Sequence, residues 1–167
     1  MLFRSVDLLF ESFPGALGLF SVGAFFKRIA DPIVTYAEDR TPFVLLTPIN
    51  GRSGRLWGAE WALVHYLGRY GIAALRDVGL YANYAFSAAR MDYGSARRDR
   101  GPLPGHARHT GNVGLLYDDG RAGRMLTLSA NYRAPMLKDI GAQPGEDVWY
   151  EGEWHVDLSA RQRLSAG

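Results

Sequence analysis

Apolar and polar residues alternate along much of this chain. In residues 124–133, Leu126, Leu128, Ala130 and Tyr132 fall on one side of an extended backbone, and Thr127, Ser129, Asn131 and Arg133 fall on the other. A period of two predicts a strand with one oily and one hydrophilic face. Residues 153–164 repeat it: Trp154, Val156, Leu158, Ala160 and Leu164 oppose Glu153, His155, Asp157, Ser159, Arg161 and Arg163, and Gln162 is the one polar residue on the oily side. In residues 78–89, Val78, Leu80, Ala82, Tyr84 and Phe86 oppose Gly79, Tyr81, Asn83, Ala85 and Ser87, while residues 112–118 carry Val113, Leu115 and Tyr117 on their oily side. Three earlier segments, 5–13, 19–28 and 55–67, are noisier, with Asp7, Glu11, Ser21, Lys27 and Glu60 marking the polar face.

The links between these segments alternate too. Short ones occupy 14–18, 68–77 and 118–123; long ones, rich in Gly, Pro and charge, occupy 30–54, 91–108 and 134–152. Short turns at one end and long loops at the other are the pattern of outer-membrane barrels, whose long loops face outside the cell. The segments also suit a membrane in length, since about 9–11 tilted residues cross the hydrocarbon. Tyr84, Phe86, Tyr117, Tyr132 and Trp154 stand where amphipathic rings favour the membrane–water interface. The expected fold is therefore all-β, an antiparallel up-and-down meander of about seven long strands forming part of a transmembrane β-barrel. A soluble antiparallel sandwich is the alternative, although its loops need not alternate so regularly.

Composition changes this picture in two places. The chain of 167 residues has no cysteine, which removes disulfides, thiolate metal sites and thiol nucleophiles together. No run approaches the twenty or so apolar residues of a membrane helix. The net charge of +2 comes from dispersed basic residues apart from Arg97, Arg98 and Arg100, so no nucleic-acid partner is expected. At the start, Asp7 and Glu11 interrupt the apolar run that a signal peptide would need. Bacterial barrels usually have an even number of strands. Seven segments, a start without a signal and an end at 163–167 that reads as a strand entering a turn lead us to expect a fragment whose natural N-terminus lies upstream of Met1.

Candidate chemistry is sparse. His106 and His109 have a spacing that two imidazole ligands could use, but no patterned carboxylate lies nearby, and capping or solvating a loop is the plainer role. His155 shares the polar face with Asp157, as a relay would, yet Gly51-Arg52-Ser53-Gly54 does not match a nucleophile elbow. The glycines form neither a phosphate loop nor a dinucleotide fingerprint. Arg97, Arg98 and Arg100 read as a solvated loop, with an anionic ligand or outer-leaflet phosphate as the alternative. No catalytic residue, cofactor site or metal site is assigned.

Several stretches resemble the barrel of TonB-dependent receptors. Residues 17–29, Leu-Gly-Leu-Phe-Ser-Val-Gly-Ala-Phe-Phe-Lys-Arg-Ile, followed by Asp31-Pro32-Ile33, are similar to a strand of that family with an aromatic-Lys-x-Ile ending and its Pro-Ile passage into a loop. Gly58-Ala59-Glu60 resembles the family's Gly-x-Glu, and Ala82-Asn83-Tyr84 its Asn-Tyr strand. Residues 103–112, Leu-Pro-Gly-His-Ala-Arg-His-Thr-Gly-Asn, resemble its Leu-Pro-Gly-x-Ser-x-His-Thr-x-Asn passage, with Ala107 in place of Ser. These matches follow the family's order.

The resemblance implies that residues 1–167 are part of a larger barrel, with the plug domain and the final strands absent. It implies energy-coupled uptake of a scarce nutrient such as a ferric siderophore, an outer-membrane location, and contact with the TonB complex through a missing N-terminal region. It further implies that Asn83, Ser87, Asn131, Arg133, Glu153, Asp157 and Arg161, together with Arg163, line the lumen and face the plug. A passive or enzymatic barrel is the rival reading.

Overall fold

The computed structural model describes residues 2–14 and 18–164. Residues 15–17 of the first predicted turn, and 165–167 of the predicted closing turn, lie outside the described residues. Seven long strands appear where the alternation places them: β1 (Leu2–Ser12), β2 (Gly18–Ala30), β5 (Ser53–Tyr66), β6 (Val78–Asp92), β8 (His109–Asp119), β9 (Arg124–Arg133) and β12 (Glu153–Gln162). They pair antiparallel in the order β1-β2-β5-β6-β8-β9-β12, each with its neighbour in the meander. No helix among the described residues is long and apolar enough to cross a membrane, which says nothing against crossing by strands.

Register decides what the two faces carry. Trp154, Val156, Leu158 and Ala160 stand opposite Tyr132, Ala130, Leu128 and Leu126. Those in turn oppose Gly111, Val113, Leu115 and Tyr117. The same face continues through Tyr84, Ala82, Leu80 and Val78 of β6, Trp61 and Leu63 of β5, Val22 and Phe20 of β2, and Phe10 of β1. One face of the sheet is thus apolar across all seven strands. It is also open, with Leu8 76% and Leu158 70% exposed.

The opposite face holds Asp7, Glu11, Ser21, Lys27 and Glu60 in the first half, as expected. It also holds Leu9, Phe25, Leu56, Val64 and Leu116, which is why the alternation is noisy there. Two of its aromatics lie over glycines on paired strands: Phe25 is opposite Gly58, and Tyr81 is opposite Gly114. A Cβ at either glycine would collide with the ring. Gln162, the polar residue on the oily side, stands at the end of β12 and binds the β8–β9 turn, its Nε2 donating to Ala122 O at 3.0 Å and its Oε1 accepting from Arg124 Nε at 3.2 Å.

The long links depart from expectation, because they fold. Residues 30–54 contain a hairpin of β3 (Ile33–Arg40) and β4 (Phe43–Asn50). Residues 134–152 contain β10 (Met136–Asp139) paired with β11 (Val148–Tyr150), and β7 (Arg100–Gly101) pairs with β6. The three links come together as a cap at one end of the sheet. Val34, Met91, Tyr93, Leu137 and Ile140 form its buried core, with Tyr36, Ile49, Ala96 and Leu103 packed against it. No one link supplies this core by itself, since its residues come from all three.

Backbone hydrogen bonds stitch the cap. Ala37 N donates to Ile140 O at 2.8 Å, and Ile140 N to Thr35 O at 3.1 Å, joining the first link to the third. Gly105 N donates to Leu137 O at 2.8 Å, joining the second to the third, and Arg52 N to Asp92 O at 2.9 Å, joining the first to the second.

Candidate functional site

The polar face carries a row of amides. Asn83, Asn112 and Asn131 stand opposite one another on β6, β8 and β9, and the row ends at His155 of β12. Asn112 Nδ2 donates to Asn83 Oδ1 at 2.7 Å. Asn112 is a member that sequence reasoning did not single out; its signal was the register partner, visible only once β8 is aligned with β6 and β9.

Nearer the cap, Arg133 meets Glu153 directly across β9–β12, with Nε donating to Oε1 at 3.0 Å and Nη2 to the Glu151 carbonyl at 3.2 Å. His155 Nε2 lies 3.4 Å from Glu153 Oε2, so the partner of this imidazole is Glu153, and the side chain stands on the polar face as part of its lining rather than in a relay with Asp157. Asp157 stands opposite Ser129, and Arg161 opposite Met125, donating to its sulfur at 3.4 Å. Ser87 shares the β6 face with Asn83 but binds His106 Nε2 at 2.6 Å, which ties the second long link to the strand.

The two spaced histidines have separate partners. His109 Nδ1 is 2.7 Å from Tyr84 Oη, and the rings stack at 6.1 Å. Among the described residues no group of three or more His, Asp or Glu side chains could hold a metal ion. Burial lowers the pKa of His106, favouring the neutral imidazole that can share one proton with the Ser87 hydroxyl.

Arg97 corrects the reading of a solvated basic loop. Its side chain is 7% exposed, and it grips Asp147 with both ends of its fork, at 2.6 and 3.3 Å. Its Nε donates to Asp99 at 2.6 Å, and its guanidinium lies 4.6 Å from the centre of the Tyr93 ring. Burial opposes the charge, but the bonds and charges of Asp147 and Asp99 outweigh it and raise the Arg97 pKa. Desolvation pushes the neighbouring Tyr93 phenol up to about 12. Arg100 pairs with Asp92 at 3.7 Å. Arg97 is therefore the key of the cap, linking the second long link to the third; its acidic partner fifty residues on gave no local signal.

A meander with one apolar and one polar face, joined by long links that fold together at one end, is the architecture of a barrel wall. The family model described as "TonB dependent receptor-like, beta-barrel" matches residues 4–167. The chain belongs to that family. In fold this TonB-dependent receptor segment is similar to the FrpB iron transporter from Neisseria meningitidis (F3-3 variant), with a TM-score of 0.64 and 16% identity over 96% of this chain. The match spans 23% of that protein's length. No curated protein matches the chain.

Proposed function

We propose that the chain forms part of the wall of an outer-membrane receptor that imports a scarce nutrient, such as a ferric siderophore, by TonB-coupled transport. The observation that carries this reading is the two-faced sheet beneath a folded cap, within a family-model match over nearly the whole chain. The apolar face meets lipid. The polar face, with Asn83, Ser87, Asn131, Arg133, Glu153, Asp157 and Arg161, lines the lumen and exchanges hydrogen bonds with a plug and water. The cap points out of the cell and contributes to the ligand-binding surface.

Physical reasoning supports a larger wall. Among the described residues β1 and β12 end the strand order, each paired on one side, and an unpaired strand edge is not tolerated in hydrocarbon. Further strands must cover both edges, and the plug and TonB-contacting region belong to the rest of the receptor. Iron as cargo is favoured by the likeness in fold to an iron transporter.

The test is uptake of labelled ferric siderophores, haem and cobalamin by iron-starved cells with and without the protein that carries this chain, each in TonB-positive and TonB-negative backgrounds. A labelled iron chelate that enters only when both are present supports the proposal. Entry that persists without TonB would point to a passive pore and overturn it.

A further inference from the structure

The hairpin of the first long link is made of two unlike strands. In β3, Glu38, Asp39 and Arg40 stand near the tip, whereas β4 opposite them reads Phe43-Val44-Leu45-Leu46, four apolar residues without a charge. Successive residues of a strand point to opposite faces, and both faces of β4 are open: Phe43 is 59%, Val44 60% and Leu46 54% exposed. β3 differs, because Val34 and Ala37 are buried in the cap. A strand at the margin of a sheet is normally blunted by charge, proline or a bulge. The register of β4 with β3 is unbroken from Asn50 to Phe43, and its blunting residue is Pro48, near the base.

Hydrogen bonds show which way the free edge faces. Ala37 N donates to Ile140 O at 2.8 Å and Ile140 N to Thr35 O at 3.1 Å, so the peptide groups of Thr35 and Ala37 point away from β4 and toward the third link. In an antiparallel pair, residues directly opposite one another either both bond across the pair or both point outward. Leu46, opposite Ala37, therefore turns its N–H and C=O outward, as does Val44 two residues away, while Leu45 and Thr47 turn toward β3. Among the described residues neither Val44 nor Leu46 makes a hydrogen bond on that side. The sheet thus runs from Ile140 through β3 to β4 and stops at an edge directed away from the third link. Bare amides between two apolar faces suit an inner strand of a larger sheet rather than its margin.

We propose that a further extracellular strand of the same receptor pairs with the open edge of β4, and that it comes from the long link rising beside β1. Size places it in the same polypeptide. The exposed apolar surface of Phe43, Val44, Leu45 and Leu46 is on the order of 400 Å², about half of what each partner gives to a standard stable complex. A second copy or a separate protein held by so small a patch would dissociate readily, whereas a tethered strand acts at an effective concentration of about a millimolar. The meander places the link. β1 and β2 join at the short-turn end, and Leu2 stands opposite Ala30 at the cap end. The connection from β1 to the strand that covers its outer edge therefore rises at the cap, next to the first link. This chain covers 23% of the transporter it resembles in fold, so several further links are available. The partner strand is extended and carries apolar residues at alternate positions, over Val44 and Leu46, and it makes the first link and its neighbour move as one wall of the receptor's mouth. The inference rests on the barrel reading above, but its test does not depend on transport.

The full receptor that carries this chain is purified in detergent, and amide exchange is read residue by residue by fragmentation mass spectrometry. Val44 and Leu46 are expected to exchange as slowly as Leu45 and Thr47, to within about tenfold. A benzoylphenylalanine photocrosslinker in place of Leu46 is expected to join the link adjacent to β1 in the same molecule. V44K/L46K should release that link, whose amides then exchange about tenfold faster or more, while Leu45 and Thr47 stay protected by β3. Fast exchange at Val44 and Leu46 beside slow exchange at Leu45 and Thr47 would show an open edge and overturn the proposal. Fast exchange at all four would show that nothing holds the hairpin, and would overturn it equally. Protection that fades on dilution, with crosslinks between copies, would assign the edge to a second copy instead; protection found only in phospholipid nanodiscs would assign it to lipid; a crosslink to any other part of the receptor would rule out the neighbouring link. A receptor whose edge is covered but which imports nothing would overturn the transport reading and leave this one standing, and a protein absent from the outer-membrane fraction would remove the barrel reading itself.

Discussion

The wall and the cap of this molecule are made of the same kind of strand and held together in opposite ways. In the wall, Leu8, Val156 and Leu158 are largely exposed, and the ladder of neighbouring strands carries the order. Its apolar residues gain nothing from one another across an interior, so their stabilisation must come from what surrounds the sheet. In the cap, Tyr93, Leu137 and Ile140 are fully buried, and a two-pronged ion pair between Arg97 and Asp147 closes the unit. The cap is a small globular core, the wall a partition between two solvents. Substitutions in the two regions should therefore fail in different assays.

The largest effect is expected from the wall. L126R/L128R places two arginines in the middle of the apolar face, at about 2–4 kcal/mol each if that face meets lipid. The double variant should be lost from the outer membrane and degraded; stable insertion at wild-type levels would show that the face does not meet lipid. In the cap, D147A leaves Arg97 buried without its main partner, at a cost of about 3–5 kcal/mol. Hydrogen exchange should then accelerate in residues 93–108 and 134–152, while heat-dependent gel migration of the barrel stays unchanged. Loss of the barrel band would mean that wall and cap form one cooperative unit.

Two smaller changes sharpen the contrast. L137A removes a fully buried side chain and should destabilise the cap by about 2–5 kcal/mol, whereas L158A on the exposed apolar face should leave cap exchange untouched. The smallest effect is set by pH. Burial lowers the pKa of His106 from its ordinary value of 6.5, so its neutral form is favoured in the folded cap. The associated stability is present above about 6.5 and is lost as pH falls from there toward the lowered value. Amide exchange in residues 102–108 should quicken at mildly acidic pH, and H106Q should abolish that dependence. A pH response that survives H106Q would assign the titration elsewhere.

Much of the wall is legible in the sequence alone. Leu126, Leu128, Ala130 and Tyr132 announce their shared face by spacing alone, and the seven long strands and the alternation of short and long links follow from the same count. Of the eight residues expected on the lumen side, the seven that fall within strands do share one face, and Arg163 lies just past the end of β12; what that face meets is a matter of function rather than of register. The cap was not legible: Val34, Met91 and Leu137 come from three links and make a core only together. Arg97 looked like surface because Asp147 is too distant in the chain to advertise the pair.

What the sequence by itself determined is local. A period of two sets which way each side chain points, and Gly, Pro and charge mark where strands stop, because both depend on residues within a few positions of one another. What only the tertiary structure decided is which distant residues share a row. The Asn83–Asn112–Asn131 ladder and the Arg97–Asp147 lock both depend on strand register and loop packing. A slip of one residue would turn every side chain of a strand to the other face. Register is fixed by the pairing of whole strands, and no single segment carries that information.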